Sequence, residues 1–153
     1  MSRPPGPEPA AASTEGATTL DGFTLGQLPD GLGPLVSDFD YESDDVTFRT
    51  RVWERGPDTD GKYSVDLQIW VLRGDRLTDP AALRDFLAEY LGHDPQDWAL
   101  ERYDRDTYHG FIASGRVFFL VQPGVAVQVS AEGGTVDSAE LLATANRIQP
   151  TPR

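Results

Sequence analysis

Val46-Thr47-Phe48-Arg49-Thr50-Arg51-Val52-Trp53 alternates Phe48, Thr50 and Val52 with arginines, and Tyr63-Ser64-Val65-Asp66-Leu67-Gln68-Ile69-Trp70-Val71 keeps its apolar residues in phase at 63, 65, 67, 69 and 71. A period of two marks a strand, because successive side chains leave the backbone on opposite sides. Upstream, Val36-Ser37-Asp38-Phe39-Asp40-Tyr41-Glu42 sets Phe39 and Tyr41 against acids, and the polar Ser43-Asp44-Asp45 turns it into the strand from Val46 as a hairpin. In that hairpin Asp40 falls opposite Arg49 and Asp38 opposite Arg51. Pairing the second and third strands is expected to set Arg51 opposite Asp66 and Thr47 opposite Trp70. Cross-strand ion pairs of this kind contribute roughly 0.2–1 kcal/mol each and help to fix register.

After the third strand the period changes. Leu83, Phe86, Leu87, Tyr90 and Leu91 recur at helical spacing, with Asp79 placed to cap, Pro80 at the first helical position and Gly92 just past the end. Beyond His93-Asp94-Pro95, strand signals run from Trp98 to Tyr103, Tyr108 to Ala113, Val117 to Val121 and Val125 to Ser130, with turns at Ala113-Ser114-Gly115 and Gln122-Pro123-Gly124. A closing helix has Asp137 and Glu140 in capping-box spacing and Leu141, Leu142, Ala145 and Ile148 on one stripe. Strand-to-strand links this short cannot make parallel crossovers. The expected fold is therefore an α+β domain: a twisted antiparallel sheet of about six or seven strands, with helices near 79–91 and 137–148 packed on its apolar face.

The chain has 153 residues, enough for one hydrophobic core, and the domain is expected to span 21–150. Residues 1–20, rich in Pro, Ala, Gly, Ser and Thr, bury too little apolar surface to offset their ordering entropy, so a disordered tail is expected there. With 13 Lys and Arg against 25 Asp and Glu the net charge is −12, which disfavours nucleic acid and favours a basic protein partner. Cysteine is absent, which excludes disulfides, thiolate metal sites and a cysteine nucleophile. No transmembrane-length apolar run and no secretory signal is read in the sequence, so a cytoplasmic location is expected.

Leu28-Pro29-Asp30-Gly31-Leu32, Pro123-Gly124-Val125-Ala126-Val127-Gln128-Val129 and Asp137-Ser138-Ala139-Glu140-Leu141-Leu142-Ala143-Thr144-Ala145 are similar to segments of uncharacterised actinobacterial domains. Related patterns occur in the terminal domains of some anti-sigma factors and lipoproteins, and the layout resembles the Mog1/PsbP-like fold. The resemblance covers about a quarter of the chain and implies a fold and a non-enzymatic adaptor or sensor role, with no catalytic residue carried over. The sequence departs from the lipoprotein pattern in that neither a signal peptide nor a lipid-accepting cysteine is read in it, so lipid anchoring is not expected.

Asp38, Asp40, Arg49, Arg51, Trp53, Asp66 and Trp70 form the candidate partner-binding surface. If Trp53 and Trp70 share the polar face with Arg49 and Arg51, an aromatic and arginine patch rimmed by acids is a docking surface. The competing reading has the loop Leu20 to Leu35 covering both tryptophans and making them core. The acids Asp38, Asp40, Glu42, Asp44 and Asp45 project in parallel from a strand rather than converging on an ion, and Asp58-Thr59-Asp60-Gly61 lacks a later Glu in register, so no metal site and no cofactor is expected. His93 reads as a helix-terminating residue. His109, near Asp104, Asp106, Tyr103, Tyr108 and Ser114, has the neighbours that a base and an orienting acid need, but no nucleophile elbow is present. The function expected first is thus a non-enzymatic, adaptor or immunity-like interaction module. The alternative is a small-ligand carrier with a pocket between the sheet and helix 79–91, lined by Tyr63, Leu67, Phe86 and Tyr90, and the third is a small enzyme centred on His109 with Asp104 or Asp106.

Overall fold

The computed structural model describes residues 18–131 and 134–151. In chain order the elements are β1 (Thr19–Leu20), β2 (Phe23–Thr24), β3 (Leu35–Ser43), β4 (Val46–Arg55), β5 (Ser64–Arg73), α1 (Pro80–Leu91), β6 (Glu101–Arg105), β7 (Tyr108–Ala113), β8 (Arg116–Gln122), β9 (Val125–Ser130), α2 (Ser138–Arg147) and β10 (Gln149–Pro150). The expected disordered tail lies outside the described residues as far as residue 17. At its end, Thr19–Leu20 is a strand and Leu20 is buried, so ordered structure begins before residue 21.

Seven strands form one antiparallel sheet in the order β3-β4-β5-β9-β8-β7-β6, and β1, β2 and β10 form a second, three-stranded sheet. Two meanders, β3-β4-β5 and β6-β7-β8-β9, are thereby joined through their last strands, β5 and β9, at the centre of the sheet, with α1 connecting them in sequence. The Asp79 carboxylate caps α1 on the Ala82 amide at 2.8 Å, and Gly92 ends it with φ 81°, where the Gly92 and His93 amides reach back to the Glu89 and Ala88 carbonyls. For α2 the Asp137 carboxylate accepts from the Glu140 amide at 2.8 Å and Glu140 answers on the Asp137 amide, the reciprocal box that the spacing predicts.

The helices lie on opposite faces of the sheet rather than on one apolar face. Under α1 sit Val46, Phe48, Trp70, Leu72, Phe118, Leu120 and Ala126, joined by Leu77, Leu83, Phe86 and Leu87. Under α2 and the β1-β2 hairpin sit Trp53, Leu67, Ile69, Val71, Val117, Phe119, Val127 and Val129. The central strands are apolar on both sides because both sides are covered. In β5, Leu67, Ile69 and Val71 face one core while Trp70 and Leu72 face the other.

This two-sided burial overturns the expected second pairing. β3 and β4 pair as anticipated, Asp38 with Arg51 and Asp40 with Arg49. On β5, however, Arg51 faces Ile69 and Thr50 faces Trp70, with a bulge between Trp53 and Glu54. The anticipated register is off by three, an odd number, so it places each side chain on the wrong face. Trp98, expected to open a strand, instead lies in the loop before β6, stacked between His93 (4.7 Å) and Phe118 (5.3 Å).

Candidate functional site

The residues singled out in sequence separate into a buried group and an accessible one. Trp53 is 5% exposed beneath Leu20, Phe23 and Leu25, as the covering-loop reading has it. Trp70 is 7% exposed on the other face, edge-on to Phe48 and Tyr90, with the Arg116 guanidinium 5.5 Å from its ring and its indole N–H donating to Gln68 at 2.9 Å. The two tryptophans therefore share no face, and the exposed Trp/Arg patch does not form. Arg51 is buried as well, its Nε and terminal nitrogen forking onto both Asp38 oxygens at 2.7 and 2.9 Å. Such a bidentate pair locks the β3-β4 register from within.

Asp66 is not opposite Arg51. It lies at the β4-β5 irregularity, 1% exposed, and accepts from the Gly33 amide at 2.7 Å and from Arg55 Nε at 2.9 Å. Burial alone would raise its pKa, but the bonds from Arg55, the Gly33 amide and Thr135 outweigh that and hold the carboxyl below its ordinary value. A Cβ on Gly33 would stand 2.0 Å from the Glu54 carbonyl oxygen, so only glycine lets this loop approach the strand. Asp66 is thus the anchor of the loop that leads into β3.

Asp40 and Arg49 stay accessible, with 68% and 41% of their side chains exposed and 3.7 Å between them. Arg49 also approaches Asp21, which takes Arg73 Nε at 2.8 Å and so ties the β1-β2 hairpin to the sheet. The sequence carries a local signal for that hairpin. Leu20-Asp21-Gly22-Phe23 is a two-residue Asp-Gly turn between apolar residues, and Asp21 and Gly22 both have positive φ, 46° and 87°.

What remains open on this side of the molecule is β3 itself. It is nine residues long and pairs only with β4 among the described residues, so one backbone edge is unpaired. Asp44 and Asp45 form its turn, both with positive φ, which makes Ser43 and Val46 a mutually bonded pair. Alternation along the ladder then points the N–H and C=O groups of Val36, Asp38, Asp40 and Glu42 outward. Leu35, Val36 and Tyr41 are 40%, 47% and 39% exposed. The Tyr41 hydroxyl pairs with that of Tyr90 at 2.8 Å while its ring stacks on Phe48, and burial followed by that hydroxyl contact raises its pKa.

The other candidates resolve simply. The anticipated carrier pocket is not formed by its four residues: Leu67 is sealed in the α2-side core, Phe86 is buried beneath α1, and Tyr63 and Tyr90 are exposed. Asp58 accepts from the Asp60 and Lys62 amides at 2.8 and 2.9 Å, a turn closed on itself. His109 Nδ1 lies 2.6 Å from Asp104, whose pKa is lowered by His109 and by Arg102, while Ser114 sits in the turn at the far end of β7. Among the described residues no three acids or histidines converge as a metal set, and no helix is long and apolar enough to cross a membrane. Compared with known proteins, the chain matches no family model, no curated protein and no solved structure.

Proposed function

We propose that this protein is a non-enzymatic interaction module that takes a basic, extended segment of a partner protein as an added strand along β3. The observation that carries the reading is the open edge: nine residues of strand with one unpaired side. Main-chain hydrogen bonds supply affinity in such strand addition, and side chains two residues apart supply specificity. On β3 the outward-bonding residues include the acids Asp38, Asp40 and Glu42, with Asp44 and Asp45 just beyond. Asp38 is engaged by Arg51 at short range, while Asp40 meets Arg49 only at 3.7 Å and is 68% exposed, so Asp40 and Glu42 are the acids placed to meet cations at alternate positions of the partner.

Charge selects against a second copy of the chain. Two β3 strands pairing antiparallel about Phe39 would set Asp38 against Asp40 and Val36 against Glu42, and like charges directly opposite are destabilising. The same acids that suit a basic strand keep copies apart.

The test is fluorescence anisotropy with a labelled peptide alternating Lys and Val, against a permutation with its lysines clustered, at low and moderate salt. The alternating peptide should bind the wild type more tightly, weaken with salt, and lose about tenfold or more on Asp40→Lys/Glu42→Lys. Equal binding of the two peptides, or an unchanged affinity in the double variant, would sink the reading.

A further inference from the structure

At the opposite end of the sheet, on its α1 side, a groove of about 370 Å³ is lined by Pro80 and Ala81 of α1, Arg102 of β6, and His109, Gly110 and Phe111 of β7. That volume is at the small end of the range for ligand sites, roughly 300–1,000 Å³. Asp104 organises its polar half. One carboxylate oxygen takes an Arg102 N–H at 3.1 Å and His109 Nδ1 at 2.6 Å.

The valences left over define a ligand. An ionised carboxylate only accepts, so His109 presents Nδ1–H to Asp104, the tautomer that leaves Nε2 as the acceptor of a ligand's hydroxyl. Arg102, 70% exposed along its side chain, spends one N–H on Asp104 and has the rest of its fork to donate. Donor fork and imidazole acceptor come from neighbouring strands, since Asp104 faces His109 and Arg102 faces Phe111. Between them the wall is apolar and includes the Phe111 ring, over which the Arg84 guanidinium lies at 5.8 Å. The complement is a planar apolar body carrying an anionic acceptor at one end and a hydroxyl donor at the other.

We infer that this groove is a binding site for a small aromatic hydroxy-carboxylate, its carboxylate on Arg102, its hydroxyl donating to His109 Nε2 and its ring against Phe111. The site is independent of the β3 edge, which lies across the full width of the sheet.

The experiment is a titration of the full chain with 4-hydroxybenzoate, benzoate, phenol and inorganic phosphate, followed by the backbone amide shifts of Ala81, Gly110 and Phe111. 4-Hydroxybenzoate should give saturable shifts and bind several-fold more tightly than benzoate or phenol. Arg102→Gln should weaken both carboxylates about tenfold and leave phenol unchanged. His109→Ala should erase the advantage of 4-hydroxybenzoate over benzoate. Both side chains are exposed, so the variants keep their fold, which circular dichroism checks. No saturable shift, equal binding of benzoate and 4-hydroxybenzoate, or tighter binding of phosphate would overturn the assignment.

Discussion

The sheet's two edge strands are managed in opposite ways. Each pairs on one side only among the described residues, but β6 has five residues and a side chain stitched to α2, while β3 has nine and no such tie to a helix end. The stitching is done by Arg105. Its Nε donates to the Tyr103 hydroxyl at 2.9 Å, a terminal nitrogen donates to the Ile148 carbonyl at 2.8 Å and the Ala145 carbonyl at 3.3 Å, and the guanidinium lies over Tyr108 and Phe119. Tyr103 in turn donates to Asn146 at 2.7 Å. A cation on the last carbonyls of a helix also meets its negative end. An exposed edge is a hazard that proteins ordinarily shorten or cover. Both edge strands bond a single neighbour among the described residues, but β6 is about half as long and its Arg105 side chain is tied to α2, so β3 offers the longer free edge to the proposed partner strand.

Breaking the stitched edge should have the largest effect. Arg105→Ala removes the end cap of α2, the partner of a buried phenol and two ring contacts at once, for a loss of about 2–3 kcal/mol. Urea unfolding measures it, and hydrogen exchange should localise the weakening to the last turn of α2 and to β6. Arg105→Lys keeps the charge but not the fork and should recover less than half. If Arg105→Ala unfolds at the wild-type midpoint, the edge is held by something other than this clamp.

Next in size is the anchor that positions the open edge. Asp66→Asn leaves the Gly33 amide an acceptor but turns an amide toward Arg55, and should cost about 1–2 kcal/mol near neutral pH. Its sign with pH follows from linkage. The folded pKa of Asp66 is below its ordinary 3.8, so its stabilisation is complete above that value and is lost as pH falls through the lower folded one. Urea midpoints of the wild type should therefore decline below about pH 4 more steeply than those of Asp66→Asn. Parallel declines would show that the carboxylate is not what ties the loop to β4.

How these features appear in sequence depends on how local they are. Both helix caps, the Pro123-Gly124 turn and the β3-β4 register are settled by neighbours a few residues apart, and each is as the spacing predicts. The β4-β5 register is not local. The loop between Arg55 and Ser64 is too long to impose one, and the irregularity at Asp66 leaves no mark in the alternation of Leu67, Ile69 and Val71. Because β5 is central, Trp70 has a core to enter on the side that a one-faced sheet would leave wet. That single assumption is why Trp53, Trp70 and Arg51 of the candidate site look like a surface in sequence and prove to be interior. Asp40 keeps its expected exposure because it lies on the edge strand, where only one neighbour has to be guessed, and Arg49 on β4 stays accessible beside it.

The smallest effect comes from the turn that starts the open edge. Asp45 has φ 67°, in the left-handed region where an L side chain crowds the backbone, and it occupies the second position of a two-residue turn that glycine fits best. Asp45→Gly relieves that crowding but gives the unfolded chain more freedom to lose, so the net gain should be about 0.5 kcal/mol. Asp45 lies outside the outward-bonding run from Val36 to Glu42, so a change there separates the turn from the strand. Stabilising the turn should raise the urea midpoint slightly and leave the affinity for an alternating Lys peptide within about twofold, one unit of charge at the rim of a screened contact. If the affinity instead falls as far as it does in Asp40→Lys/Glu42→Lys, the peptide is held by the acidic turn rather than by the strand, and the open edge is not the docking surface.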